Sequence, residues 1–428
     1  MIVDITIANF RSIKDKQTFS LYAENQSSHL EDNIVYPGDT KYGVHRTAGV
    51  YGANASGKSN LLLAFMALRY VATSSGDLKE GDKINYEPYL LSNSTKNAPI
   101  EFEIEFFLKD GLRYLYNITY NGSQILTESL DYYPSRSKAN LFKRLESDTW
   151  EDITFGSHYK GGKKKIAFFK NNSYLSKAGN SADSPEIIRE IFNFFRQDFS
   201  HAAATSNIGA FGWKKDPEMI SVVSKILNKV DTGIVDIEFE DDKDVLKNYK
   251  FPDSISESIK KEVLEELSKK AFFSHIDDHF EKVLFDKDLE STGTLKLFEM
   301  LPVLLKTFEK GGVLLLDELD NSFHPHIAEL IIKLFNSKEV NKKNAQLIFS
   351  THNLNLMSPK IFRRDQIWLT EKNNGSTLIT SLDEFNKNTV KMNSPFNKWY
   401  DDGRFGAIPE IDFYAISKAI CNKGKNNA

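Results

Sequence analysis

The first residues that could do chemistry are eight consecutive positions, Gly52–Ser59, which read GANASGKS. Glycines in this run let the backbone turn so that successive N–H groups point at phosphate oxygens. Lys58 would reach the β- and γ-phosphates of a nucleotide, and the Ser59 hydroxyl would be a ligand of Mg²⁺. A chance glycine-rich turn is the alternative, but a strand before the run and an apolar helix after it are the context that the motif requires. The predicted nucleotide-binding residues here are Gly52, Asn54, Ala55, Ser56, Gly57, Lys58, Ser59 and Asn60.

A second motif is an acidic pair that follows four apolar residues at positions 313–316 (VLLL). Asp317 would emerge at the carboxyl end of this buried strand, where it could hold Mg²⁺ through water. Glu318 follows directly and is placed to orient and deprotonate a water molecule for attack on the γ-phosphate. An acidic pair after a buried strand is common, so this motif becomes specific only beside the phosphate-binding loop.

A histidine follows the next predicted buried strand, Gln346–Phe349, at position 352. The carboxyl ends of parallel strands gather functional groups at one edge of a sheet. We therefore expect His352 to hydrogen-bond the γ-phosphate or the attacking water. A structural histidine at the end of a strand is the alternative, which would be favoured if the other two motifs were absent.

The elements that must position these residues follow from hydrophobic patterning. Apolar and polar residues alternate over Ile2–Ile7 and Ile100–Tyr133, which predicts a β-hairpin and an antiparallel meander. In the second half, helices at Leu295–Glu309 and Pro325–Phe335 alternate with continuous apolar strands. That alternation predicts a parallel sheet covered on both faces.

Charges at helical spacing over 185–197 and about 254–285 predict a helical subdomain between the two halves. The predicted fold class is therefore α/β, with a parallel core sheet, an N-terminal antiparallel β subdomain and a helical insertion.

Composition limits the possible classes of protein. The 428 residues are 40% hydrophobic and 27% charged, which is typical of a globular chain with at least one large core. Because 55 basic and 59 acidic residues give a net charge of −4, any contact with nucleic acid must come from a local patch or a partner. A single cysteine, Cys421, excludes an intramolecular disulfide and a zinc site with two cysteine ligands. No apolar run approaches the roughly 20 residues that span a bilayer, so we expect a cytoplasmic protein with no membrane partner.

The three motifs together resemble those of the ABC-type ATPases: a Walker A loop, a Walker B strand with an adjacent glutamate, and a histidine after the next strand. Within them the chain is similar to the SMC/RecF/OLD-like branch, which opens with a segment like Asn9–Ser12. It looks most like the bacterial ATPases of the abortive-infection AbiL/RloA type, and this likeness extends to 172–180 (NSYLSKAGN) and 403–409 (GRFGAIP).

This resemblance implies an ABC-ATPase-like P-loop fold that binds and hydrolyses ATP with Mg²⁺. It divides the chain into three parts. Residues 1–180 would form an N-terminal ATPase lobe with Walker A, 181–288 the helical insertion, and 289–428 a C-terminal ATPase lobe.

The resemblance also implies further nucleotide-binding residues. In this branch an arginine at the position of Arg11 approaches the nucleotide. A signature segment before Walker B contacts the γ-phosphate bound by the other subunit, and Ser291 and Gly293 occupy the matching position. A simple N-capped helix is the alternative for these two residues. Asp320 belongs to the D-loop, 319–325, which crosses between subunits.

If the signature segment acts in trans, two copies of the chain would bind face to face with two ATP molecules between them. ATP would hold this homodimer closed and hydrolysis would release it. His324 and His326, inside the D-loop region, could instead suggest a metal pair, but the sequence shows no further ligand cluster.

Two functions from different classes fit such a switch. The first is the ATPase of a bacterial anti-phage or abortive-infection system that controls a separately encoded effector such as a nuclease. The second is a DNA-repair or chromosome-maintenance ATPase that clamps DNA. Its support is the basic run 159–165 (YKGGKKK), which could equally be a solvated hairpin tip. A transporter ATPase is disfavoured by the large insertion.

The aromatic tail, 398–409, could bind a partner or pack on the body of the domain.

Overall fold

The computed structural model describes residues 1–24, 29–38, 40–202, 212–241, 257–321, 323–408 and 411–423. The strands of these residues, numbered along the chain, are β1 Ile2–Ala8, β2 Gln17–Ser20, β3 Ile34–Val35, β4 Val44–His45, β5 Thr47–Gly52, β6 Ile100–Phe107, β7 Arg113–Tyr120, β8 Ile125–Tyr133, β9 Ala139–Arg144, β10 Thr154–Phe155, β11 Phe199–Ala202, β12 Asp236–Asp241, β13 Lys269–Ile276, β14 Lys282–Asp286, β15 Val313–Leu316, β16 Gln346–Ser350, β17 Ile367–Asn373 and β18 Ser376–Ser381. The α-helices are α1 Lys58–Thr73, α2 Tyr174–Gly179, α3 Glu186–Gln197, α4 Pro217–Lys229, α5 Glu257–Leu267, α6 Thr292–Lys310, α7 Pro325–Asn336, α8 Phe396–Asp401 and α9 Phe413–Lys423.

The first large sheet is antiparallel and has seven strands in the order β10-β9-β8-β7-β6-β1-β2. The predicted hairpin is present, because Ile7 of β1 pairs with Gln17 of β2. The predicted meander is β6-β7-β8, in which Ile100 pairs with Tyr120 and Tyr116 with Leu130. Alternating burial along β7 shows that one face of this sheet packs on the core.

The second large sheet has six strands in the order β11-β15-β16-β5-β17-β18. Only the β17–β18 pair is antiparallel; the other neighbours are parallel. The three strands that carry the predicted motifs are adjacent, with Leu314 paired to Leu347 and Ile348 paired to Ala48. Their carboxyl ends therefore lie side by side at one edge of the sheet, where an α/β fold collects its functional groups.

Helix α1 fills the space between the two sheets. Leu61 and Leu68 of α1 are fully buried in one core with Phe102 of the antiparallel sheet and Val50 of β5. The opposite face of the parallel sheet is covered by α6 and α7, whose residues share a second core with β15 and β16. The predicted α/β architecture with its parallel core sheet and antiparallel β subdomain is confirmed.

Part of the predicted helical subdomain is a sheet instead. Helices α3 and α5 agree with the prediction, but residues 269–285, also predicted as helix, lie in β13, β14 and the turn between them. These two strands form a three-stranded antiparallel sheet with β12. The prediction was wrong here because Phe273 in β13 is buried, with its ring 5.0 Å from that of Phe298. The spacing of charged residues in the sequence does not predict that Phe273 packs against Phe298. Residues 254–256 lie outside the described residues.

The aromatic tail packs on the body of the domain, one of its two predicted fates. Phe396 and Tyr400 of α8 and Phe405 are buried, and the rings of Phe405 and Phe385 are 5.1 Å apart. Pro409 lies outside the described residues.

The basic run 159–165 is not a hairpin tip, which corrects that alternative. Tyr159 is fully buried, with its hydroxyl 2.6 Å from that of Tyr174, and the Lys163 N–H donates to the Asp183 carbonyl at 2.7 Å. Lys160 and Lys163–Lys165 nevertheless expose their side chains.

Within the described parts of the chain, no helix combines the length and the hydropathy needed to cross a membrane.

Candidate functional site

The phosphate-binding loop joins β5 to α1 at the carboxyl edge of the parallel sheet, as the motif predicts. Two of its glycines are required by their surroundings. A Cβ on Gly57 would overlap the Thr377 side chain, and a Cβ on Gly52 would overlap the Thr370 carbonyl oxygen. Both glycines also have positive φ, 113° and 154° respectively. The loop therefore keeps this shape only with glycine at both positions.

The other predicted residues of the loop are placed to meet a ligand from outside. Asn54, Ala55 and Ser59 are exposed, and Asn60 is half-buried. Ser56 instead points inward, and its hydroxyl lies 2.6 Å from that of Thr370. Ser56 thus anchors the loop to β17.

Lys58 is the first residue of α1, and its ammonium group folds back onto the start of the loop. Its Nζ donates to the carbonyl oxygens of Gly52 at 2.9 Å and Ala53 at 3.0 Å. Burial lowers the pKa of Lys58 to about 8, although the charges of nearby carboxylates raise it. The carboxylates that act on this ammonium are Asp317, Glu318 and Asp320. The motifs that lie far apart in sequence therefore converge on Lys58.

A buried serine organises the acidic pair. The Ser350 hydroxyl at the end of β16 donates to Asp317 Oδ1 at 2.5 Å and accepts from the Glu318 N–H at 2.8 Å. Glu318 itself has a left-handed backbone, with φ of 56°. Its Oε2 accepts from the Asn321 side chain at 3.1 Å. Both carboxylates are thus oriented by neighbours rather than left to rotate.

Asp320 and His352 are also brought together. Asp320 Oδ1 accepts from the Thr351 hydroxyl at 2.5 Å and from the His352 N–H at 3.3 Å. Burial lowers the pKa of His352, and the positive charge of Lys58 lowers it further, against the opposing effect of the acidic residues. A lowered pKa favours the neutral imidazole, which can donate one hydrogen bond and accept another.

Arg11 lies beside the start of α1, and its predicted contact with a nucleotide stays a prediction. Its guanidinium binds both carboxylate oxygens of Glu87, at 3.1 and 2.9 Å, and lies 3.4 Å from Asn60 Oδ1. The Asn60 amide in turn donates to Ser12 Oγ at 2.6 Å. The Arg11 side chain is 34% exposed, so it can reach a ligand at this end of the loop.

Ser291 and Gly293 lie at the start of α6. The Ser291 hydroxyl caps the helix by accepting from the Thr294 N–H at 3.1 Å. Ser291 is exposed and Gly293 is half-buried. Neither lines the cleft beside the phosphate-binding loop in the part of the chain that the structure describes. A contact with a second subunit stays a prediction.

The residues predicted to hold Mg²⁺ fit that ion by donor type. Ser59 supplies an exposed hydroxyl and Asp317 a carboxylate, and Mg²⁺ is bound by one or two such oxygens together with water and phosphate. His324 and His326 have another role: His324 caps α7, and its Nδ1 accepts from the His326 N–H at 3.4 Å. Within the described ranges, no group of three or more His, Cys, Asp or Glu residues could hold a metal ion.

A cleft of about 790 Å³ lies against the loop. Thr351 and His352 line one side of it, and Thr370 and the tail residue Tyr400 line another. The Ser322 part of the D-loop lies outside the described residues.

Sequence reasoning missed several residues that support the site. Ser350 and Thr351 orient the acidic side chains, while Thr370 and Thr377 hold the loop, the Thr377 hydroxyl donating to the Ser56 carbonyl at 2.7 Å. Hydroxyl residues at the end of β16 and directly after it were a usable signal for the first two. Nothing in sequence pointed to the other two, because they are more than 300 residues from the loop that they contact.

Several solved structures are similar to this chain at low identity. An SMC head domain from Thermotoga maritima is 14% identical, with 89% of this chain and 98% of that chain covered and a TM-score of 0.37. A recombination mediator protein RecF bound to ATP is 13% identical, with 89% and 99% covered and a TM-score of 0.36. The cbiO1 subunit of a Clostridium perfringens ABC transporter complex is 13% identical, with 82% and 87% covered and a TM-score of 0.27.

No curated protein sequence is significantly similar to the chain. Residues 48–358 match the sequence profile of a family described as "AAA domain, putative AbiEii toxin, Type IV TA system". The match runs from β5 to just beyond His352 and so includes all three motifs. Because it covers well over half of the 428 residues, the chain belongs to this AAA-domain family of P-loop proteins.

Proposed function

We propose that this protein is an ABC-type ATPase that binds and hydrolyses ATP and acts as a nucleotide-gated switch. The observation that carries the proposal is the convergence at one sheet edge of a phosphate-binding loop, a paired acidic motif and a histidine. The carboxylates of Asp317, Glu318 and Asp320, which follow β15, each raise the pKa of the Lys58 ammonium. Such an arrangement can position a triphosphate, a cation and an attacking water together.

Each residue has a definite part in this reaction. Backbone N–H groups at the start of α1 and the Lys58 ammonium bind phosphate oxygens. Glu318 accepts a proton from the attacking water, and its carboxylate is aimed by the Asn321 amide. His352, neutral because burial lowers its pKa, donates a hydrogen bond to the γ-phosphate.

Ser59 and Asp317 would hold Mg²⁺, which supplies neutralisation of the developing phosphate charge. Ser350 keeps the Asp317 carboxylate in one orientation through its 2.5 Å hydrogen bond. Arg11 would bind the nucleotide beside the start of α1, where the Glu87 carboxylate holds it in place.

The proposal includes a homodimer that closes on ATP. Ser291 and Gly293 lie at an exposed helix start, which is open to phosphate bound by another copy. In a closed twofold dimer, each chain would complete the other's site. Asp320, whose carboxylate accepts a hydrogen bond from the Thr351 hydroxyl, would lie at this subunit boundary.

Glu318→Gln tests the catalytic assignment. The amide is nearly isosteric but cannot take a proton, so we expect ATP binding within about twofold of wild type and turnover at least tenfold slower. Lys58→Ala is the matched variant that should lose binding itself. Equal turnover in the wild type and Glu318→Gln would remove Glu318 from the role of general base.

We further propose that the switch belongs to a bacterial abortive-infection or anti-phage system and controls a separate effector, such as a nuclease. The name of the matched family, which refers to an AbiEii toxin and a type IV toxin–antitoxin system, supports this assignment. Co-purification of Glu318→Gln from the native host should recover the effector with the closed dimer. Phage protection by this gene alone, without a neighbouring gene, would contradict control of a separate effector.

A DNA-clamping ATPase is the second candidate, and the exposed lysines of 160–165 favour it. Replacing Lys160, Lys163, Lys164 and Lys165 by glutamine should then weaken duplex DNA binding and reduce the slope of its salt dependence. Absence of salt-sensitive DNA binding by the isolated wild type would exclude this candidate.

A further inference from the structure

The aromatic tail makes direct contact with the phosphate-binding loop. The Ala407 carbonyl oxygen accepts a hydrogen bond from the Ala53 N–H, the second residue of the loop, at 3.1 Å. The Tyr400 hydroxyl donates to the same oxygen at 2.6 Å. Two donors therefore fix one carbonyl group, and one of them belongs to the nucleotide-binding motif.

The segment is built to hold this carbonyl in place. Ala407 is 4% exposed and has a left-handed backbone, with φ of 58°, which costs free energy for a residue with a Cβ. Tyr400 is 6% exposed, and burial raises its pKa to about 12, so the hydroxyl keeps its proton at working pH. Phe405, which lies between Tyr400 and Ala407 in the sequence, packs against Phe385. Surrounding packing thus maintains an unfavourable backbone geometry at the point of contact.

The contact continues to the catalytic lysine. The Ala53 carbonyl oxygen is one of the two acceptors of the Lys58 ammonium, at 3.0 Å. A chain of hydrogen bonds therefore runs from Tyr400 through Ala407 and Ala53 to Lys58. Fixing Ala53 also fixes where the Lys58 side chain is held when no phosphate is present. The energetic value of such preorganisation appears as ligand affinity.

We propose that Tyr400 is a positioning residue for nucleotide binding, which acts by holding the Ala407 carbonyl against the phosphate-binding loop. This inference rests on the proposed function, because it assumes that a nucleotide binds at Lys58. It adds a reciprocal consequence: if the tail supports the loop that binds nucleotide, bound nucleotide must stabilise the tail by the same factor.

Tyr400→Phe tests the proposal, because it removes one hydroxyl and keeps the ring. Tyr159→Phe is the control: it also removes a buried tyrosine hydroxyl from a 2.6 Å hydrogen bond, but within the antiparallel subdomain. Binding of ATPγS with Mg²⁺ is measured by calorimetry, and hydrogen exchange is measured at the tail amides. Loss of one net hydrogen bond that supports the loop should raise the Kd of Tyr400→Phe about three- to tenfold. Tyr159→Phe should bind like the wild type.

Hydrogen exchange separates positioning from general stability. ATPγS should slow exchange at Gly403, Arg404 and Gly406, whose N–H groups are bonded within the tail, and it should slow them less in Tyr400→Phe. The inference is overturned if Tyr400→Phe binds ATPγS within twofold of Tyr159→Phe, or if nucleotide leaves exchange of these amides unchanged. Failure of the wild type to bind ATPγS would overturn the proposed function, and this inference with it. Loss of binding only in Lys58→Ala would leave the proposed function intact while rejecting the part assigned to Tyr400.

Discussion

Ser350→Ala is the substitution that most sharply tests how the acidic pair is organised. Ser350 is fully buried, donates to the Asp317 carboxylate at 2.5 Å and accepts from the Glu318 N–H at 2.8 Å. A hydrogen bond to a charged group contributes roughly 1.5–3 kcal/mol and one between neutral groups roughly 0.5–1.5 kcal/mol. We therefore expect the free energy of unfolding to fall by about 2–4.5 kcal/mol, the sum of the two contributions.

The catalytic effect should exceed what this loss of stability alone would cause. Removing a partner that orients a metal-binding carboxylate typically costs about 10- to 100-fold in activity. We expect kcat for ATP hydrolysis to fall within that range, while the Kd for ATP changes little, because the phosphate-binding loop keeps its own contacts. Steady-state phosphate release and equilibrium ATP binding measure the two quantities separately.

Ser75→Ala provides the matched control. Ser75 is also fully buried, donates to the Val71 carbonyl at 2.6 Å and accepts from the Ser173 N–H at 2.9 Å, at the carboxyl end of α1. It should lose about 1–3 kcal/mol of stability with unchanged kcat. If Ser350→Ala hydrolyses ATP as fast as Ser75→Ala at a temperature where both are folded, Ser350 does not position the acidic pair.

Three further outcomes follow from the site. Burial lowers the Lys58 pKa to about 8, and bound phosphate favours the charged ammonium. ATP affinity should therefore be constant below pH 8 and fall up to tenfold per pH unit above it. A flat Kd between pH 7.5 and 9.5 would contradict this. Arg11→Ala should raise the Kd for ATP several-fold with little loss of stability, because its ion pair with Glu87 is about one-third exposed and such pairs contribute about 0–1 kcal/mol; a large drop in melting temperature would show a structural role instead. His352→Ala should lower kcat at least tenfold and leave the Kd for ATP within about threefold, and unchanged single-turnover hydrolysis would count against it.

Local sequence patterns predicted the catalytic strands well because those strands are buried on both faces. Continuous apolar residues at 313–316 and 346–349 need no knowledge of their neighbours, and both are strands. The helix after the loop, predicted at 60–72, spans Lys58–Thr73.

Long-range pairing is what the sequence could not predict. Gly57 is tightly enclosed by Thr377 of β18, and Ser56 is bonded to Thr370 of β17, yet these strands follow the loop by more than 300 residues. Strand β13 was misread as helix for a related reason. Its pattern KKAFFSHI becomes meaningful only when Phe273 pairs with Phe285 and packs on Phe298.

The tail shows the same limit in another form. Glycine and aromatic residues over 398–409 allow either partner binding or packing on the domain, but they do not indicate that the Ala407 carbonyl meets the phosphate-binding loop. Such a contact requires a left-handed alanine and a tyrosine hydroxyl directed at one oxygen atom. Neither property can be predicted from the identities of the residues.

The central claim is that two copies of this chain close on ATP and that each completes the other's site. Sedimentation equilibrium of Glu318→Gln with ATP and Mg²⁺ tests it most directly, because that variant should bind ATP without hydrolysing it. With ATP, we expect twice the 48.8 kDa mass of one chain, and without ATP the mass of a single chain. The double variant Glu318→Gln with Lys58→Ala should have the mass of a single chain in both conditions. A single-chain mass for Glu318→Gln at saturating ATP and Mg²⁺ would contradict it.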